Sequence, residues 1–160
     1  MTPSFIIAPA RGAKDVAVVA RLLETYAASL PVDLSYQDFE GELAGLPGRY
    51  VPPGGEILLA SSLVGAPLGC VALRPLEKDG CCEMKRLYVV PEARALGLGR
   101  ALAGRIVREA VRIGYREIRL DTLPSMASAI SLYRRMGFEP IAPYYCGAPE
   151  DSLFLALRLA

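Results

Sequence analysis

The segment Arg94-Ala95-Leu96-Gly97-Leu98-Gly99-Arg100 joins a β-like run that stops at Pro91 to a long stretch of helical periodicity. Glycine costs roughly 0.5–1 kcal/mol relative to alanine in regular structure, so two of them at one junction ask for a reason. A helix start offers unpaired N–H groups and the positive end of a dipole, and both favour an anion. Glycines let a phosphate approach those amides with no Cβ in the way. Arg94 and Arg100 can add charge-assisted hydrogen bonds. Three readings compete. A dinucleotide fingerprint wants GxGxxG/A directly after a strand, with an acidic residue roughly 20 positions further on. Gly97, Gly99 and Asp121 answer to it, but Leu102 fills the third position and the segment PEARAL separates strand from glycines. The pattern R/Q-x-x-G-x-G/A is matched throughout. The third reading is a loop that needs its glycines only to turn.

Acid–base chemistry is narrowed by elimination. The chain has no histidine, which removes histidine metal sites, catalytic triads and imidazole shuttles. Its four cysteines contain one adjacent pair, Cys81 and Cys82, and no CxxC spacing, as expected of small buried thiols in a reducing cytosol. Carboxylates, tyrosine, lysine, cysteine or water must then carry any proton, and no metal is expected. A net charge of +1 gives no bulk attraction to nucleic acid or to an anionic membrane. The arginines at 100, 105, 108, 112, 116 and 119 read either as a solvated face or as a phosphate-binding surface, with Arg100 the best candidate for the latter. No apolar run reaches the ~18–20 residues that span a bilayer, and no secretory leader is apparent at the start. A cytoplasmic protein is expected.

The elements that must position this junction follow from periodicity. Residues 5–8 predict a strand, and Val16, Val19, Leu23, Tyr26 and Leu30 fall at helical spacing. Ser35 is placed to cap a second helix carrying Phe39, Leu43 and Leu46, and residues 46–56 read as a loop. Strands are expected at 56–61, 67–76 and 82–90, then a helix after Gly97 that Gly114 ends. A strand at 117–122 and a helix at 126–136 precede two closing strands, FEPIAPYY and SLFLALRL. At 160 residues the chain is long enough for one domain with a substantial core. A single-domain mixed α/β (α+β) fold is predicted, in the order β-α-α-β-β-β-α-β-α-β-β.

The strand–Pro–RxxGxG–helix junction together with Leu132-Tyr133-Arg134-Arg135-Met136-Gly137-Phe138 resembles the GNAT superfamily of acyl-CoA-dependent N-acetyltransferases. The resemblance runs over residues 67–160, and the two preceding helices fit the order of elements. It implies a mostly antiparallel central sheet flanked by helices, with acetyl-CoA as acyl donor. Its pyrophosphate site maps to Arg94, Ala95, Gly97, Leu98, Gly99 and Arg100, largely through backbone amides. The pantetheine arm would pair with the backbone of Leu87, Tyr88 and Val89. Eleven positions before Arg94 stands Glu83, where family members often carry the general base. Tyr133 matches the residue that hydrogen-bonds the coenzyme sulfur and serves as general acid. A strand glutamate facing solvent and a core tyrosine are the plain alternatives. One departure is Met126, which stands where family members often have asparagine. The resemblance also implies a homodimer. A non-catalytic acyl-CoA-binding module would need neither Glu83 nor Tyr133.

An amine of pKa ~10.4 is neutral in only about 1 molecule in 2500 at pH 7, a penalty near ~4.6 kcal/mol, so a base or a water chain to one helps. The acceptor is read as a small-molecule amine rather than a protein tail. Between Tyr26 and Tyr50 the chain carries Asp33, Asp38, Glu40 and Glu42 against one basic residue, Arg49. Tyr26, Tyr36 and Tyr144 supply aromatic faces that suit an ammonium. Lys85 shares strand parity with Glu83 while Arg86 is expected on the opposite face, and either could hold an acceptor carboxylate. The alternative is that these charges solvate the surface.

Overall fold

The computed structural model describes residues 4–159, except the side chains of residues 36 and 37. Strands β1 (Phe5–Pro9), β2 (Glu56–Ser62), β3 (Pro67–Pro75), β4 (Cys81–Val89), β5 (Glu117–Thr122), β6 (Glu139–Pro140) and β7 (Leu153–Arg158) form one sheet. Their spatial order is β1-β2-β3-β4-β5-β7-β6. Helices α1 (Gly12–Ser29), α2 (Phe39–Ala44), α3 (Leu98–Ile113) and α4 (Ala127–Met136) flank it, with 3-10 turns at Leu34–Gln37 and Pro91–Leu96. Every strand pair is antiparallel except β4–β5. That parallel pair needs a long crossover, and α3 supplies it.

Side-chain alternation divides the core between the two faces of the sheet. Leu58, Val71, Leu73, Cys82 and Met84 pack with Leu98, Leu102, Ala103, Ile106 and Ala110 of α3. On the other face Ile57, Cys70, Ala72 and Tyr88 pack with Val19, Leu22 and Leu23 of α1 and with Phe39 of α2. Each helix presents apolar residues three and four apart, so periodicity alone located both.

The sequence expectations need three corrections. Asp33, not Ser35, is the cap in the α1–α2 connection: its carboxylate accepts from the Ser35 N–H at 2.8 Å. It opens a 3-10 turn, and α2 is short enough to leave Leu46 beyond its end. The expected strand FEPIAPYY reduces to Glu139–Pro140. Pro140 and Pro143 cannot donate to a ladder, and the two tyrosines that follow turn inward onto carboxylates. Third, Arg86 does not face away from Lys85.

A bulge in β4 causes that reversal. Cys70 of β3 lies opposite Tyr88 and Ala72 opposite Lys85, so Val71 alone faces Arg86 and Leu87. Arg86 adopts φ 62°, a left-handed conformation costing a non-glycine residue roughly 1–2 kcal/mol. The bulge resets the alternation and turns Arg86 toward α2. Its Nε and Nη2 donate to Glu42 Oε2 at 2.8 Å and Oε1 at 3.1 Å. The guanidinium also lies over the Phe39 ring, 5.0 Å from its centroid. Beyond the bulge β4 has left β5, for their ladder covers only Cys81–Glu83 against Glu117–Arg119.

Removing Glu42 strands a buried guanidinium at a strained residue, so Glu42→Ala is expected to destabilise the fold by about 3–5 kcal/mol at pH 7. Burial raises the Glu42 carboxyl, but the hydrogen bond and charge of Arg86 outweigh it and leave the group below its ordinary value. The stabilisation is therefore complete above the unfolded pKa of ~4.3 and is lost as pH falls through the lower native one. Denaturant titrations of both proteins at pH 7 and pH 3 check this, and a gap that does not shrink in acid refutes it.

Candidate active site

Where β4 and β5 part, a cleft opens between them. Tyr26 from α1, Lys85 and Leu87 from β4, Asp121 and Leu123 from β5 and its continuation, and Tyr133 from α4 line it. The β4 edge along this cleft has no neighbouring strand. Val90 N–H bonds the Leu68 carbonyl of β3 at 2.9 Å, so by alternation the polar backbone groups of Leu87 and Val89 face the cleft and those of Tyr88 face β3. Arg94 Nε reaches back to the Val89 carbonyl at 3.1 Å. Such an edge can receive an extended chain bearing amides as an added strand. The Tyr88 ring points elsewhere, 5.5 Å from that of Tyr26.

The cleft leads to the start of α3. Ala101 N–H is bound by the Gly97 carbonyl at 3.1 Å, and no side chain caps the helix. The amides of Leu98, Gly99 and Arg100 therefore stand at its open end. Gly97 has φ 75°, which the backbone demands whatever binds. Gly99 is different: a Cβ there would meet only Val89 Cγ2, at 4.0 Å. Its small size leaves room in front of the helix, as a diphosphate requires. Leu98 is buried and can contribute only its amide, whereas Arg94, Ala95 and Arg100 are exposed. A second cavity, lined by Gly97, Arg100, Gly104, Arg105 and Arg108, is bordered by Met136 of α4. Helix α4 thus borders both hollows.

Glu83 is buried on β4 but does not line the cleft. Its Oε1 accepts from Arg74 Nε and Nη2, both at 2.9 Å, and its Oε2 accepts from Tyr144 Oη at 2.6 Å. Asp121 accepts likewise from Tyr145. Burial, and then the charge of Glu83, holds the Tyr144 phenol well above its ordinary range, so it stays a donor. Arg119 lies over its ring at 5.4 Å. Tyr133 is buried beside Phe138, ring centroids 5.6 Å apart, and burial raises its phenol too. Among the described residues the Tyr133 hydroxyl has no hydrogen-bond partner. Burial pushes the Lys85 ammonium down to about 8, against the pull of Glu83 and Asp121. Met126 lines the cleft next to α4. The side chain of Tyr36 lies outside the described residues.

The acids expected to receive an ammonium are committed elsewhere. Glu42 holds Arg86 and accepts from Tyr50 at 3.0 Å, and Asp33 caps its turn. Sequence reasoning missed Arg74 and the Tyr145–Asp121 pair. Arg74 could have been found, since it sits directly across from Glu83 once β3 and β4 are registered. The tyrosine contacts had no such signal, because the loop between β6 and β7 has no period.

A free strand edge leading to an open helix start suits a coenzyme A-binding transferase. Residues 21–138 match the Acetyltransferase (GNAT) family, and the chain belongs to it. It is an acyl-CoA-dependent acetyltransferase. An uncharacterised N-acetyltransferase of Schizosaccharomyces pombe is 37% identical over 161 residues, covering 100% of this chain and 99% of its own length. The N-acetylaspartate synthetase of Danio rerio is 28% identical across 83% of this chain, which spans 50% of that protein. An acetyltransferase of Salmonella typhimurium, solved with acetyl-CoA, superposes with a TM-score of 0.71 at 21% identity, covering 98% of this chain and 95% of that one.

Two outcomes are expected. Gly99→Leu should fold, since leucine favours helix and its Cβ has space, yet bind coenzyme A at least tenfold more weakly, ~1.4 kcal/mol. Calorimetric titration showing wild-type affinity would exclude the cradle. Lys85→Met should raise the melting temperature at pH 7, because a buried ammonium is exchanged for an apolar chain of similar length. With the native pKa lowered to about 8 from 10.5, the wild-type penalty is complete below pH 8 and fades as pH rises to the unfolded value. The advantage of the variant should therefore shrink between pH 7 and pH 10, and thermal melts at both values decide it.

Proposed function

We propose that this protein, as one acetyltransferase domain, acetylates the primary amine of a small molecule by direct attack, with Tyr133 and Glu83 handling the protons. The observation that carries this reading is the position of α4, which brings to the cleft a phenol with no partner among the described residues and, at its other end, borders the hollow along α3 that begins at Gly97. Bound acetyl-CoA supplies the acetyl group as a thioester and departs as the thiol. Leu87 and Val89 offer their backbone groups to the pantetheine arm. The amides of Leu98, Gly99 and Arg100 take the pyrophosphate, with Arg94 and Arg100 beside them.

Tyr133 donates to the departing sulfur. A free phenol at ~10 is already a weaker acid than a thiol at ~8.5, and burial raises this one further. Its main contribution is therefore a hydrogen bond to the developing thiolate, with the proton following late. On the other side the amine must lose a proton. Tyr144 Oη, already donating to Glu83, can accept that proton while passing its own to the carboxylate, and a water can do the same. Arg74 fixes Glu83 for this task. Among the described residues no cysteine or serine lines the cleft, which supports direct attack over a covalent intermediate. The likeness to an enzyme named N-acetylaspartate synthetase supports a small acceptor. Four free thiols, three of them buried, suit a cytosolic protein, and a homodimer rests on family likeness alone.

Tyr133→Phe should lower kcat by about 10²-fold while acetyl-CoA affinity stays within a few-fold. Glu83→Gln should depress kcat/KM more at pH 7 than at pH 9, where more of the amine is already neutral. Thiol release measured across pH 6–9 tests both. Full activity in both variants would remove the assigned roles and leave the cofactor site standing.

A further inference from the structure

The walls of the cleft carry opposite charges. Lys85 stands on β4 and Asp121 on β5, the two strands that part around it. The carboxylates nearby are already served by donors: Glu42 by Arg86 and Tyr50, Glu83 by Arg74 and Tyr144, Asp121 by Tyr145. Glu42 and Glu83 are also set back from the cleft lining. Arg86 also lines the cleft but is neutralised by Glu42 at 2.8 Å, so Lys85 and Asp121 are the charges that face each other across it. An acceptor that is only a cation would meet Asp121 but offer nothing to Lys85. Resting on the acetyltransferase reading above, we propose that the acceptor is an amino acid, with its carboxylate held by Lys85 and its amine directed to the Asp121 wall.

Three features support this assignment. Lys85 is buried, with relative exposure of 6%, so a contact to its ammonium is shielded from competing water. Its position is fixed by the sheet, because it pairs with Ala72 on β3 immediately before the bulge. The bulge also leaves Arg86 on the same face, where Glu42 neutralises it and keeps it from competing for the carboxylate. A zwitterion therefore finds a cation on one wall and an anion on the other, and a plain alkylamine finds only half of the match.

The test is thiol release by the wild-type protein with aspartate, glutamate and leucine, each against its own α-carboxamide. Intrinsic reactivity favours the amides, whose amines titrate near ~8 and are more often neutral at pH 7.5. A preference of at least tenfold in kcat/KM for the free acids is expected. It should collapse to within threefold in Lys85→Met through a higher KM, with acetyl-CoA affinity unchanged by calorimetry, and survive in Lys85→Arg. Amides or alkylamines turned over as well as the acids by the wild type would overturn the proposal and leave the acetyltransferase reading intact. That comparison stands whether or not either variant folds. Acetyl-CoA binding with no thiol release from any amine would sink both.

Discussion

The extra residue in β4 is the constraint on which the rest of the site depends. A regular β4 would continue its ladder with β5 beyond Glu83, and the space now open between them would be filled by backbone hydrogen bonds. With Arg86 in the left-handed region the strand bends away instead. This leaves the Leu87–Val89 edge with no neighbouring strand among the described residues, and the bend needs an anchor to keep it from relaxing. Glu42 supplies that anchor from the opposite layer, so α2 is tied to the catalytic strand by a buried ion pair. The cleft is thus a consequence of pairing geometry, with α1 and α4 closing its sides.

The same bend explains how a chain without histidine arranges its protons. Three tyrosines do the donating near the cleft, and burial raises two of them, Tyr133 and Tyr144, out of the range where they could ionise. A phenol in that state is a fixed donor. Tyr144 and Tyr145 spend theirs on Glu83 and Asp121, which locks the loop before β7 over the sheet. Among the described residues Tyr133 spends its own on none, and of these three it is the one that lines the cleft. Division of labour among the tyrosines follows from which carboxylate each can reach.

Most of the scaffold was legible because its signals are periodic. Leu98, Leu102, Ile106 and Ala110 mark α3, and Gly97 and Gly99 mark its start. What escaped was aperiodic. The bulge at Arg86 leaves no trace in an alternation pattern read one strand at a time, so Arg86 was assigned to the opposite face. FEPIAPYY looked like a strand by composition, and only the missing donors of Pro140 and Pro143 argued against it. The acidic stretch around Glu40 and Glu42 suggested an ammonium pocket, because a sequence shows charge without showing partners. Once Glu42 is seen on Arg86, that stretch no longer supplies an ammonium pocket.

Three local penalties converge on this cleft: a non-glycine residue at φ 62°, a glycine in the first turn of a helix, and a lysine ammonium with relative exposure of 6%. None of them helps the fold. A chain selected only for stability would hold an alanine at 99, an apolar residue at 85 and a regular strand through 86. The first exchange would add a few tenths to about 1 kcal/mol, and the second would remove a desolvated charge. Their coincidence along one strand and the helix start it leads to supports the proposed ligand-handling surface independently of any motif. It also separates two halves of that surface. At Gly99 the cost leaves backbone open to close approach, and at Lys85 it keeps a charge beside the cleft.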